Sequence, residues 1–131
     1  MTVDLIRRPD LAPVPYAYAA VVPPDARLVY TAGACPLDAT GAVVAPGDVA
    51  TQTARVMENL AAVLDTAGAG LGTVVRTTVF VASADRADLV AAWDVVRARF
   101  GEHDPPSTLL GVAVLGYPGQ VVEVEAVAVV P

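Results

Sequence analysis

A chain of 131 residues with a hydrophobic fraction of 55% can bury one core, and chains of this length hide roughly two thirds of their unfolded surface, so one domain over residues 1–131 is expected. The net charge is −6 and every basic residue is an arginine, with no basic run; phosphate neutralisation needs clustered positive charge, so no nucleic-acid partner is expected. No apolar run reaches the ~18 residues of a membrane span, so no membrane role is expected.

Cys35 is the single cysteine and His103 the single histidine, which leaves no intrachain disulfide and too few ligands for a metal centre. With the start MTVDLIRRPD lacking an apolar signal segment, a cytoplasmic location is expected. The apolar fraction exceeds the usual ~45–50% of soluble domains, and apolar strand faces left open by the chain's own helices call for another copy.

Residues 1–24 carry Pro9, Pro13, Pro15, Pro23 and Pro24, which remove ladder donors and predict an irregular, extended segment with short edge strands around Tyr16–Val22. Arg27–Ala32 reads as a strand that ends at Gly33. The turn residues Asp38, Gly41, Pro46 and Gly47 around Val43-Val44 predict a hairpin-like excursion. Asp48 can cap a helix in which Val56, Met57, Leu60, Val63 and Leu64 recur at helical spacing, with Gly68 as the stop.

Thr73–Ser83 alternates clearly, placing Val75, Thr77, Val79 and Val81 on one face and Val74, Arg76, Thr78 and Phe80 on the other. Both faces are largely apolar, which predicts a central strand. A second helix starts near Asp85, with Ser83 or Asp85 as cap, and runs through Leu89, Val90, Trp93, Val95 and Val96 to Phe100 before Gly101. Strands near Thr108–Val114 and Val121–Val130 complete an α+β fold with two helices packed on one face of a mixed sheet.

The segments Pro15-Tyr16, Thr31-Ala32-Gly33-Ala34-Cys35-Pro36-Leu37-Asp38, Gln52 with Glu58-Asn59-Leu60, Val75 to Phe80, Pro106-Ser107-Thr108 and Val122 to Ala128 occur in the order and spacing of the RidA (YjgF, enamine/imine deaminase) family. The chain resembles that family over nearly its whole length. The resemblance implies a chorismate-mutase-like fold, a homotrimer whose sheets form a central barrel, and small-molecule clefts between subunits. It also implies cofactor-free hydrolysis of imines and enamines to keto acids and ammonia.

In the family an arginine immediately before the Ser-Thr or Ser-Cys pair holds the substrate carboxylate. Here that position is Pro106, and the His103–Ser107 segment is one residue shorter. Arg27 and Arg76 are the arginines that could substitute by type, or else are ordinary strand arginines facing solvent.

By the same resemblance Glu123 orients the attacking water, Tyr16 and Thr108 line the cleft, and the Gly33 and Ala34 amides face a substrate oxygen, with Cys35 and Ser107 beside them. Each has a plainer reading. Glu123, with Glu125 on the same strand face, can be a solvated carboxylate; Tyr16 can pack beside Pro15; Gly33 can serve a turn; Ser107 and Thr108 can brace a loop. Cys35 is either a nucleophile near the Gly33 amide or an inert buried thiol, the second being the commoner state. His103 suits a helix C-terminus, and Trp93 suits the core. The functional alternatives are an imine or enamine hydrolase and a ligand-binding or regulatory trimer without chemistry.

Overall fold

The computed structural model describes residues 3–131. Its strands are β1 (Asp4–Ile6), β2 (Ala19–Val21), β3 (Arg27–Tyr30), β4 (Val74–Val81), β5 (Ser107–Gly111) and β6 (Val122–Val130); its helices are α1 (Val49–Thr66) and α2 (Arg86–Phe100). β1 and β2 pair antiparallel as a small ribbon, while the other four strands form one sheet in the order β3-β6-β4-β5. β4 and β5 run parallel and α2 makes the crossover that parallel neighbours require. The fold is α+β with a mixed sheet.

Helix α1 begins where expected because the Asp48 carboxylate accepts from the Thr51 N–H at 3.1 Å and from the Thr51 hydroxyl at 2.9 Å. Its buried stripe is Val56, Met57, Leu60 and Leu64, while Val63 is 53% exposed, so the apolar face is narrower than its sequence spacing suggests. For α2 both proposed caps act together. Asp85 accepts from the Ala87 N–H, and the Ser83 hydroxyl accepts from the Asp85 N–H while donating to Asp88.

Both helices pack on one face of the sheet, where Val56, Leu60, Ala92 and Val96 meet Val79 and Val124. Each of the valine and leucine side chains contributes roughly 1.5–3 kcal/mol by leaving water. Trp93 is only half-buried at the edge of this core. The opposite sheet face has no helix over it, and Tyr30, Arg76, Leu110 and Glu125 stand exposed there.

Strand β4 departs from simple alternation. Its pairing with β6 jumps from Val74↔Ala128 to Arg76↔Val127, so Val75 is an extra residue and Val74 is thrown to the helix side, where it is fully buried. The assignment of Val74 to the face of Arg76, Thr78 and Phe80 therefore fails at that bulge. β5 stops at Gly111, short of Val114. A Cβ built at Gly111 would lie 2.6 Å from the Ser83 carbonyl oxygen, so the strand end sits directly against the chain entering α2. The strand β1 was hidden in the sequence among the proline-rich residues.

Candidate functional site

The loop leaving β3 lies beside the start of β6. Ala34 and Val124 form an isolated bridge, in which the Ala34 N–H donates to the Val124 carbonyl at 2.7 Å and the Val124 N–H returns to Ala34 at 3.2 Å. The expected substrate-facing role of the Ala34 amide is thereby overturned: that donor is committed to holding the loop. The Gly33 N–H, by contrast, meets no protein acceptor among the described residues.

Gly33 has no side chain because Glu123 occupies the space. A Cβ there would lie 2.5 Å from the Glu123 Oε2 and 2.6 Å from its Cδ. The other carboxylate oxygen is occupied: the Cys35 thiol donates to Oε1 at 3.0 Å and the Gln120 amide donates to it at 3.3 Å.

Gln120 is itself buried, giving a second bond to the Val122 carbonyl and accepting from the Tyr117 N–H. Helix α1 anchors both sides of the arrangement. Asn59 donates to the Cys35 and Leu37 carbonyls, each at 3.0 Å, and the fully buried Gln52 ties Val44, Ala45 and Gly119 to Val121.

Burial, followed by the hydrogen bond to Glu123 and that carboxylate's charge, pushes the Cys35 thiol up to about 11. The resting sulfur is a protonated donor rather than a nucleophilic thiolate. Of the two sequence readings of Cys35, the nucleophile is set aside.

A second group lies elsewhere on the chain. Tyr16, Trp93, Ser107, Thr108 and Leu109 line a cavity of about 390 Å³. Tyr16 packs edge-on against Trp93 with ring centroids 6.2 Å apart, which gives Trp93 a place at the cavity wall. The Ser107 hydroxyl donates to the Pro105 carbonyl at 2.8 Å and so braces its loop.

Arg7 fixes the segment carrying Tyr16. Its guanidinium donates to the Val14 and Tyr16 carbonyls and pairs with Asp104 at 2.9 Å, while the Ala17 N–H donates to the Asp104 carbonyl. The His103 ring meets the Val74 carbonyl at 2.7 Å, locking the end of α2 to the start of β4.

The pairing of β5, β4 and β6 measures the gap between the two groups. Thr108 lies opposite Thr78, and Glu123 lies opposite Phe80. At about 4.8 Å per strand and about 3.3 Å per residue, the Thr108 and Glu123 Cα atoms stand roughly 12 Å apart. The chain therefore carries two separate groups, Gly33–Cys35–Gln120–Glu123 and Tyr16–Trp93–Thr108.

Residues 9–130 match the family model described as Endoribonuclease L-PSP. A 2-iminobutanoate/2-iminopropanoate deaminase of Salmonella typhimurium is 38% identical over 107 residues, covering 78% of this chain and 79% of that protein. The chain belongs to the RidA (YjgF) family. A RutC family protein of Pyrococcus abyssi is 36% identical over 115 residues, 87% of this chain and 85% of the relative. A solved Rid-family structure from Yersinia pestis superposes with a TM-score of 0.90 at 31% identity, over 98% of this chain and 99% of that one.

Pro106, which the sequence resemblance sets at the family's arginine position, has a carbonyl that accepts from the Thr77 N–H at 3.0 Å. Arg76, next to Thr77 on β4, shares with Pro106 the lining of an open 440 Å³ depression. Arg27 lies on the edge strand β3. Neither arginine forms an ion pair among the described residues. Gln120 went unrecognised in the sequence, where a glutamine after Gly119 looks like an ordinary turn residue.

Proposed function

We propose that this RidA-family chain hydrolyses a small imine or enamine without a cofactor, in a cleft that two copies complete within a homotrimer. The observation that carries the reading is the Glu123 carboxylate, which has one oxygen held by Cys35 and Gln120 and the other beside Gly33. An imine carbon is already electrophilic, so the protein need only hold the substrate and place a water. An enamine first tautomerises to the imine. Glu123 then takes a proton from that water as the water oxygen bonds to the carbon, and passes the proton to the nitrogen. The resulting carbinolamine moves its hydroxyl proton to the nitrogen by way of the same carboxylate as the C–N bond breaks, releasing a carbonyl compound and ammonia. The Gly33 N–H, without a partner among the described residues, serves as a donor to the substrate, while Thr108 and Tyr16 of the other group orient it.

The open sheet face bearing Tyr30 and Leu110 supports a cleft shared between copies. With Pro106 in the loop, a substrate carboxylate finds no clamp there. The decisive experiment generates 2-aminoacrylate or 2-iminobutanoate in situ and compares keto-acid release with and without the protein. An imine lacking a carboxylate is assayed beside them, and acceleration is expected with at least one of the three; no acceleration with any of them overturns the reading.

Pro106 favours one other reading, a ligand-binding or regulatory trimer, which predicts saturable metabolite binding without turnover. Ribonuclease action, named in the description of the family model, fits poorly with a net charge of −6. RNA binding at physiological salt would contradict this exclusion.

A further inference from the structure

We propose that Gln120 and Cys35 are positioning residues that hold Glu123 by Oε1 and leave Oε2 as the one carboxylate oxygen presented to the ligand. This assignment rests on the hydrolase reading for its kinetic consequence, but its geometry is independent of turnover.

Several features combine to fix the carboxylate. The thiol and the amide approach the same oxygen at 3.0 and 3.3 Å. Gln120 is 4% exposed, and its remaining contacts are to the Tyr117 N–H and the Val122 carbonyl, so its side chain is fixed at both ends. The loop of Cys35 is fixed in turn by Asn59 through the Cys35 and Leu37 carbonyls. Gly33 completes the arrangement by leaving room for Oε2.

A glutamate on an open sheet face samples several rotamers, each presenting different lone pairs. Two donors on one oxygen select one of them, so a water bonded to Oε2 is held in a defined direction. Gln120 also bonds the Val122 carbonyl at the start of β6, whereas Cys35 lies 88 residues from Glu123 on another loop, so the effect of Cys35 on reaction is the one separable from the integrity of β6.

The test compares Cys35→Val, which removes the donor at similar size, with Cys35→Ser, which keeps a donor, and adds Gln120→Leu. Loss of one charge-assisted donor is expected to lower kcat for imine hydrolysis roughly tenfold in Cys35→Val and in Gln120→Leu, with KM unchanged and most of the rate recovered in Cys35→Ser. Equal rates in wild type and Cys35→Val overturn the proposal, as do equal losses in Cys35→Val and Cys35→Ser. If Gln120→Leu does not fold, the Cys35 pair decides alone.

A second readout needs no activity. Glu123→Gln should speed alkylation of Cys35 by iodoacetamide several-fold at mildly alkaline pH, because a carboxylate that holds the thiol proton has been removed. An unchanged rate overturns the clamp. If the wild-type protein proves inactive, the hydrolase reading falls by itself and this alkylation result alone upholds or overturns the clamp.

Discussion

Replacing Gly33 by alanine puts a methyl group where the Glu123 carboxylate now lies. The added Cβ would be 2.5 Å from Oε2 and 2.8 Å from Cγ, so the side chain must retreat by about 0.9 Å to reach a 3.4 Å contact. The backbone at Gly33 is not in the left-handed region, hence the whole penalty falls on Glu123 and its bonds to Cys35 and Gln120. Losing one or both, at a half-buried site, costs about 1–2 kcal/mol.

The assay is a double-mutant cycle in urea, with Gly33→Ala made in the wild-type and Glu123→Ala backgrounds. The substitution should destabilise wild type by that amount and cost almost nothing once Glu123 is gone. An equal cost in both backgrounds would refute the steric link between residues 33 and 123.

Other outcomes follow from the same structure. The folded Cys35 thiol titrates at about 11 against an ordinary value of 9.0, so the folded state holds its proton longer than the unfolded chain. Its contribution to stability is complete below pH 9, is lost as pH rises towards about 11, and should disappear from the stability–pH curve of Cys35→Val. Leu60→Ala, at a side chain 1% exposed, should cost roughly 2–5 kcal/mol in urea unfolding; a loss below 1 kcal/mol, well under that range, would contradict the packing of α1. Arg7→Ala should accelerate limited proteolysis between residues 7 and 16, because it removes the bonds to Val14, Tyr16 and Asp104; an unchanged cleavage rate would show that the arm is held otherwise.

The helices were legible because their signals are local. Asp48 and Gly68 bracket a stripe at helical spacing, and Asp85 and Gly101 do the same for α2. Strand β4 was legible as the centre of the sheet from its two apolar faces, but the bulge at Val75 was not, since an extra residue in one strand is defined only against its partner. The parts of the site separated along the chain were the hardest to see. Cys35 and Glu123 are 88 residues apart, and the family resemblance put both near one cleft without showing that one donates to the other. The engaged Ala34 amide was equally invisible, because the bridge to Val124 depends on how the loop meets β6.

Keto-acid release by the Glu123→Gln protein, measured beside wild type with the same imine generated in situ, tests the proposed hydrolysis most directly. If Glu123 takes the proton of the attacking water, the amide should lower kcat roughly 100-fold or more while the fold stays intact. Wild-type turnover in Glu123→Gln would contradict the proposed role of Glu123 as the catalytic carboxylate and, with it, the proposed hydrolysis.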